Sequence, residues 1–328
     1  MDSANPASDI AADSVVASSV AFSAESAVDA SSTSPASATK DGRAPVRRRS
    51  TWRRLVFLYV VVPYVSVVLI FAVLQRQLLY RGTRSERLDV SLATFAATGS
   101  RNVSLVVGQD ITVRGWLLKT SVIRQTPTPL VVYFPGNASN RGERTTDLHE
   151  FVACGVDVLV FDYRGFGDSD GTPSETNLTQ DAAAIWQFAR TLSDYRDAPM
   201  IVYGESLGGA VAVSLWSGDQ RPQPDLVILN STFTSIPDLV AELYPWFPFR
   251  YLVVDTWRSL DRIGRIPCPI FVFHGTNDQI VPFALGEQLS AAGRLVEFER
   301  VPGGTHNEMP AGRLRVLLQE SGPSKRAF

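Results

Sequence analysis

The sequence predicts an α/β protein with a mostly parallel, doubly wound sheet and a short lid insertion, preceded by one transmembrane helix. From residue 130 onwards, short β-rich runs alternate with helical stretches such as 178–192, and this alternation is typical of a parallel sheet covered by helices. Upstream, residues 55–74 are uncharged and mostly apolar, and about 20 such residues are enough to cross a bilayer.

The composition excludes several classes of protein. The chain has 328 residues with a formal charge of -2, which does not suggest a nucleic-acid binder. Two cysteines and three histidines exclude a disulfide scaffold and make a multi-cysteine or His-rich metal site a poor hypothesis. We therefore expect no metal and no cofactor, and the composition does not indicate an oligomeric state.

The N-terminal segment 1–46 is predicted to be a disordered tail. Of these 46 residues, 23 are Ala or Ser, and the only aromatic residue is Phe22. Such a segment cannot bury enough apolar surface to offset the entropy lost on ordering. A mitochondrial presequence is the alternative, but six acidic residues within 1–41 argue against it.

Residues 47–80 are predicted to form a basic flank and a single transmembrane helix at about 55–74. Arginines lie on both sides of the apolar run, where lipid headgroups would contact them, and this favours a membrane span over a buried core helix. Seven basic residues lie within 40–54 and four within 76–87, which predicts a cytoplasmic N-terminus. The remaining domain, 81–328, would then be lumenal or extracytoplasmic.

Six apolar runs in that domain are predicted to be strands buried on both faces of the sheet. They are LVVYF (130–134), DVLVFD (157–162), MIVYG (200–204), DLVILN (225–230), PIFVFHG (269–275) and LVEFERV (295–301). Ahead of them, 103–119 predicts a β-hairpin that turns at 108–110.

The candidate nucleophile is Ser206, in Gly204-Glu205-Ser206-Leu207-Gly208. This G-x-S-x-G motif follows a predicted strand and precedes a helix-compatible stretch. In that context, glycines allow a sharp turn that exposes the serine hydroxyl at a helix N-terminus. The alternative is a glycine-rich turn that only packs a helix on the sheet.

A nucleophilic serine needs a base, and the base needs an acidic partner that fixes its tautomer. His306 follows the last predicted strand, whereas His149 and His274 lie within predicted elements and suit packing or loop-fixing roles. Asp278 follows the penultimate strand and is the candidate acid, with a solvated turn carboxylate as the alternative. We expect Ser206, His306 and Asp278 to meet at the mouth of the sheet rather than in its core.

An oxyanion hole needs backbone N–H donors beside the nucleophile. One donor would be the amide of Leu207, the residue after the serine. The second would come from the loop FPGNASN at 134–140, with the Asn137 amide as the candidate.

The segments FPGNASN, DYRGFGDSDGTPSE, GESLGG, STFTSIPDL, HGTNDQIVPF and GGTHN resemble the α/β-hydrolase superfamily. They are similar in particular to its membrane-anchored, BEM-like branch of α/β-hydrolase domain-containing serine hydrolases. The resemblance covers about 85–320 and implies an α/β-hydrolase fold with Ser206, Asp278 and His306 as the catalytic triad. One departure is Pro135, which stands where the family loop usually has a histidine.

The resemblance implies hydrolysis of a carboxylic ester or thioester through an acyl-enzyme on Ser206. A serine aminopeptidase-like hydrolase and a catalytically silent scaffold are the alternatives. Residues 231–266 occupy the place of the superfamily's lid, and their aromatic stretch 243–249 could line an acyl pocket, face the bilayer or pack within the lid. The expected partners are an acyl substrate and membrane lipid.

Overall fold

The computed structural model describes residues 49–92, 95, 99–218, 223–306, 308 and 311–320. The chain divides into two compact units, 1–52 and 53–328. The predicted tail, 1–46, lies outside the described residues and stays a prediction.

The apolar run forms a long helix with one irregular turn. Helix α1 (Arg49–Val56) leads through a π-helical turn (Phe57–Val61) into α2 (Val62–Leu79). The π turn comes just before Pro63, because a proline ring clashes with the carbonyl four residues earlier and cannot donate the usual helical bond. The helical stretch Thr51–Leu79 is long and apolar enough to cross a membrane.

Within the described residues, eight strands form one sheet in the order β1-β2-β4-β3-β5-β6-β7-β8. They are β1 (Arg101–Gly108), β2 (Ile111–Leu118), β3 (Leu130–Phe134), β4 (Asp157–Phe161), β5 (Met200–Glu205), β6 (Leu226–Asn230), β7 (Ile270–Gly275) and β8 (Val296–Val301). β1 and β2 pair as the predicted antiparallel hairpin, and β3 to β8 pair in parallel. All six predicted strands are present.

Helices cover both faces of the sheet, as a doubly wound fold requires. One face carries α3 (Thr145–Ala153) and α9 (Ala311–Glu320), and the other carries α4 (Glu175–Thr191), α5 (Leu207–Ser214) and α8 (Phe283–Ala291). Side chains of successive strand residues point to opposite faces, so in β3 Val132 joins one core and Val131 the other. The predicted mostly parallel, doubly wound sheet is confirmed.

The prediction that every run is buried on both faces is wrong for β8. In this strand Glu297 and Arg300 are exposed, whereas β3, β4, β6 and β7 are buried throughout. β8 is the last strand in the sheet order, and charged residues on an edge strand discourage pairing with another chain.

The predicted lid, 231–266, lies between β6 and β7. It holds α6 (Ile236–Leu243), a 3₁₀ turn (Pro248–Tyr251) and α7 (Leu260–Ile263). Helix α6 begins at a serine cap, because the Ser235 side chain accepts a hydrogen bond from the Asp238 amide.

Candidate active site

Ser206 is the only residue between β5 and α5, so the chain reverses from strand to helix in one step. Its φ of 54° is unusual for a residue with a side chain, and such strain is typical of functional sites. The turn depends on glycine: a Cβ on Gly204 would lie 2.4 Å from the Gly208 carbonyl oxygen, and a Cβ on Gly208 would lie 1.9 Å from the Phe134 oxygen. The G-x-S-x-G spacing is therefore a steric requirement of this turn.

His306 lies within hydrogen-bond distance of both Ser206 and Asp278. The Nδ1–Oδ2 distance to Asp278 is 2.7 Å, and the Nε2–Oγ distance to Ser206 is 3.0 Å. A carboxylate only accepts, so Nδ1 donates to Asp278 and Nε2 is left to accept from the serine hydroxyl. Loops after β5, β7 and β8 bring the three residues together, although Asp278 and Ser206 lie 28 and 100 positions before His306 in the chain.

The three side chains are more enclosed than a position at the mouth of the sheet would suggest. Ser206 is 6% exposed, and Asp278 and His306 are each 8% exposed. Enclosure strengthens the electrostatic interaction between the imidazole and the carboxylate because little water screens it.

Asp278 accepts hydrogen bonds on both carboxylate oxygens. Oδ1 accepts from the Ile280 and Val281 amides at 2.9 and 2.8 Å, and Oδ2 accepts from His306. Burial alone would raise the pKa of Asp278, but the hydrogen bonds from His274, His306 and the Val281 amide outweigh it and hold the pKa well below its usual range. The group facing His306 is therefore a carboxylate rather than an acid.

His274, at the end of β7, contacts the loop that carries Asp278. Its Nε2 lies 2.9 Å from the Val281 oxygen and 3.3 Å from Asp278 Oδ2, and its side chain is fully buried. A Cβ on Gly286 would lie 2.1 Å from the Nδ1 atom of His274, so this glycine makes room for the ring.

His149, the remaining histidine, lies on α3 and is stacked on Phe95 with 4.1 Å between ring centroids. Both histidines thus have the packing and loop-fixing positions expected from the sequence.

Glu205, although next to Ser206 in the chain, is engaged elsewhere. Its Oε2 accepts from Arg144 Nη1 and from the Tyr133 hydroxyl, both at 2.7 Å. Its carboxylate therefore forms a separate ion pair and is not the partner of His306. Among the described residues, no group of three His, Cys, Asp or Glu side chains could hold a metal ion.

The loop after β3 lies against the Ser206 turn. A Cβ on Gly208 would meet the carbonyl oxygens of both Phe134 and Pro135, which shows how closely the two backbones approach. Within the described part of the chain, neither the backbone N–H of Asn137 nor that of Leu207 donates a hydrogen bond to the protein. Both predicted oxyanion donors are therefore free of protein acceptors.

Pro135 does not leave this loop unsupported. The Tyr163 hydroxyl donates to the Pro135 oxygen at 2.7 Å, and Arg144 Nη2 donates to the Ala138 oxygen at 3.1 Å. Side chains from outside the loop thus hold its carbonyl groups, and nothing in the sequence around Pro135 signals these contacts.

Comparisons with known proteins connect this geometry to hydrolases. A family model described as serine aminopeptidase, S33, matches residues 125–260. An uncharacterized protein of Mycobacterium tuberculosis is 36% identical over 245 residues, which cover 74% of this chain and 84% of that protein. Lysophosphatidylserine lipase ABHD12 of Danio rerio is 35% identical over 183 residues, which cover 50% of this chain and 47% of the lipase. The chain thus spans about half the length of that lipase.

Two solved esterase structures share the fold. The Pyrococcus furiosus esterase Pf2001 aligns with a TM-score of 0.56 at 16% identity, over 73% of this chain and 98% of the esterase. Est1E from Butyrivibrio proteoclasticus aligns with a TM-score of 0.53 at 17% identity, over 66% of this chain and 96% of Est1E. They confirm the fold class expected from the sequence.

Proposed function

Because the chain belongs to the α/β-hydrolase superfamily, we propose that it is a serine hydrolase that cleaves a carboxylic ester or thioester. Ser206 is the nucleophile, His306 the general base and Asp278 the residue that orients it. The observation that carries the proposal is the position of His306, 2.7 Å from Asp278 and 3.0 Å from Ser206. This arrangement is how enzymes of unrelated folds activate a serine.

The reaction runs in two halves. Ser206 Oγ attacks the carbonyl carbon while His306 Nε2 takes the hydroxyl proton, and the oxyanion that forms accepts from the Asn137 and Leu207 amides. His306 then gives the proton to the departing alcohol or thiol, which leaves an acyl group on Ser206. In the second half, His306 takes a proton from a water molecule that attacks the acyl carbon. His306 then returns this proton to Ser206 Oγ as the acyl–oxygen bond breaks, which releases the carboxylic acid and restores the serine hydroxyl.

The acyl group of the substrate is proposed to be that of a lipid. Aromatic lid residues stack on the long apolar helix: Phe247 on Tyr64 with 5.2 Å between ring centroids, and Phe249 on Phe71 with 4.0 Å. Beside them Trp246 is 86% exposed. A lid that carries apolar rings next to an apolar helix favours an acyl chain, in agreement with the name of the lysophosphatidylserine lipase that resembles this chain.

Substrate classes can be compared directly on the purified full-length protein. We expect hydrolysis of p-nitrophenyl esters and of a lysophospholipid, and no release of p-nitroaniline from amino-acid anilides. An aminopeptidase needs a carboxylate that binds the free amine of its substrate, and Glu205, which adjoins Ser206, already pairs with Arg144. Faster cleavage of anilides than of esters would favour the aminopeptidase-like function over the esterase function.

The apolar helix is proposed to anchor the protein in a membrane, with the N-terminus in the cytoplasm. Carbonate-washed membranes should retain the full chain, and deletion of 55–74 should release it, because these residues dominate its partition into lipid. Protease added to sealed vesicles should leave the hydrolase domain intact if that domain is lumenal. Full release of the undeleted chain by carbonate would contradict the anchor, and digestion of the domain would reverse the orientation.

A further inference from the structure

The C-terminal end of α2 is joined to the lid by an ion pair and shared hydrogen bonds. Arg76 Nε and Nη2 donate to the two carboxylate oxygens of Asp255 at 3.0 and 3.1 Å. The Tyr80 hydroxyl donates to the same carboxylate at 3.0 Å and accepts from Trp257 Nε1 at 3.1 Å. Asp255 is 5% exposed, whereas the Arg76 side chain is 52% exposed, so the carboxylate is buried and its arginine partner lies at the surface.

Gln75 adds a second connection to the lid, through backbone groups. Its side-chain Nε2 donates to the Leu252 oxygen at 3.1 Å, and its Oε1 accepts from the Val254 amide at 2.7 Å. The Gln75 side chain thereby provides hydrogen-bond partners for one carbonyl and one N–H group of the lid backbone.

The same helix end is joined to the loop that carries the Asn137 amide. Asn137 Nδ2 donates to the Leu79 oxygen at 2.9 Å, and the Asn137 oxygen accepts from the Arg81 amide at 2.8 Å. The last carbonyls of a helix have no hydrogen-bond donor within the helix, and the Asn137 side chain provides a donor for the Leu79 carbonyl. Two residues further on, the Thr83 amide donates to the Ser139 oxygen at 3.4 Å.

We propose that this segment, residues 75–83, which we call the helix end, positions Asn137 for catalysis and makes the membrane anchor part of the active site. The inference rests on the proposed function. Asn137 is held by its side chain and by its carbonyl, and both partners belong to the helix end. Since oxyanion donors must lie about 2.7–3.1 Å from the developing charge, the bonds that fix Asn137 also fix the position of its amide.

The loop has little internal means of holding this position. Between Phe134 and Asn140 it consists of Pro, Gly, Asn, Ala and Ser, and its carbonyls at Pro135 and Ala138 are held by Tyr163 and Arg144. Asn137 is held by the helix end. A displacement of about 1 Å in a catalytic group can lower a rate by about 10²-fold, so losing these contacts should reduce turnover without removing any triad residue.

Two single-alanine insertions in the full-length protein separate anchoring from positioning. An insertion after Gln77 rotates Leu79 by about 100° and moves it about 1.5 Å relative to Gln75 and Arg76, so the helix cannot contact lid and loop at once. An insertion after Phe57 lengthens the helix equally but precedes every contact described above. With p-nitrophenyl acetate in detergent, we expect kcat to fall about 10²-fold for the first insertion and to stay at the wild-type value for the second.

A side-chain substitution tests the same inference with less disturbance. Asn137→Ala removes the bond to Leu79 but keeps the backbone amide, and we expect kcat to fall at least about tenfold with KM and the pH profile unchanged. The matched control is Asn177→Ala, because Asn177 Nδ2 also donates to a backbone oxygen, that of Thr172 at 3.1 Å, away from the site. If an insertion prevents folding, the comparison of Asn137→Ala with Asn177→Ala tests the role of the helix end.

Wild-type kcat in Asn137→Ala, or equal kcat in the two insertion variants, would overturn the role of the helix end. Neither result would affect the proposed function, since the wild-type protein would still hydrolyse the ester through Ser206. Absence of ester hydrolysis in the wild-type protein, by contrast, would overturn the proposed function and this inference with it.

Discussion

Ser206→Ala is expected to abolish ester hydrolysis and to prevent labelling by a fluorophosphonate probe. An activated serine attacks phosphorus as it attacks a carbonyl carbon, and alanine has no oxygen with which to form either bond. Loss of the nucleophile in serine hydrolases lowers kcat by about 10⁶-fold, so turnover should approach the background. Gel fluorescence after labelling and a spectrophotometric ester assay measure the two effects.

Ser231→Ala is the matched control for this substitution. Ser231 also follows a strand, has a φ of 50° and is 1% exposed, but it lies outside the triad. It should keep both labelling and turnover. Equal labelling of Ser206→Ala and the wild-type protein would mean that another residue reacts, and absence of labelling and turnover in both would favour a catalytically silent scaffold.

His306→Ala should lower turnover nearly as much as loss of the serine, because no other base lies beside Ser206 Oγ among the described residues. Asp278→Asn should lower kcat by about 10⁴-fold, since an amide favours the wrong tautomer of the imidazole. Combining either change with Ser206→Ala should cost little more, because triad residues act as a unit and their effects are not additive. Steady-state kinetics on single and double variants measure this.

If His306→Ala kept wild-type hydrolysis and only lowered the melting temperature, His306 would be a structural residue of its loop. His274 would not replace it easily, because its Nε2 already faces the Val281 oxygen. His149 is stacked on Phe95 in α3. Such a result would therefore remove the basis for a serine–histidine mechanism in this chain.

Asp278→Asn should also lower stability, in a way that depends on pH. The pKa of Asp278 is depressed in the folded protein, while an unfolded chain has an Asp pKa of about 3.9. The charge therefore stabilises the fold fully above about pH 4, and this contribution decreases as pH falls further. The gap in unfolding free energy between wild type and Asp278→Asn should be largest near neutral pH.

Most of the sheet and the three triad candidates could be predicted from the sequence. Strands buried on both faces are continuous apolar runs, and this signal is local. Ser206 lies in a motif whose glycines the backbone requires, and the positions of His306 and Asp278 after the last two strands follow from the rule that strand ends of a parallel sheet meet at one edge. These features depend either on residues that are close together in the chain or on the order in which strands and helices follow one another.

The contacts of the helix end could not be predicted. Arg76 and Asp255 are 179 positions apart, and an exposed arginine after an apolar run looks like an ordinary headgroup contact. The loop at Pro135 is similar, since its support comes from Tyr163, 28 positions away. The enclosure of Asp278 is not predictable either, because a polar turn such as Thr276-Asn277-Asp278 carries no signal that neighbouring loops will cover it.

The ion pair between Arg76 and Asp255 decides where a soluble fragment of this protein can begin. The boundary suggested by the sequence, residue 81, removes both Arg76 and Tyr80 and leaves the buried Asp255 carboxylate without the two side chains that donate to it. Without the ion pair and the hydrogen bond from Tyr80, this carboxylate loses the contacts that hold it in the folded protein, so the fragment should be less stable than the full chain. A fragment for crystallisation or assay should therefore start before Gln75 and keep the last helical turn, even though that turn looks like membrane anchor.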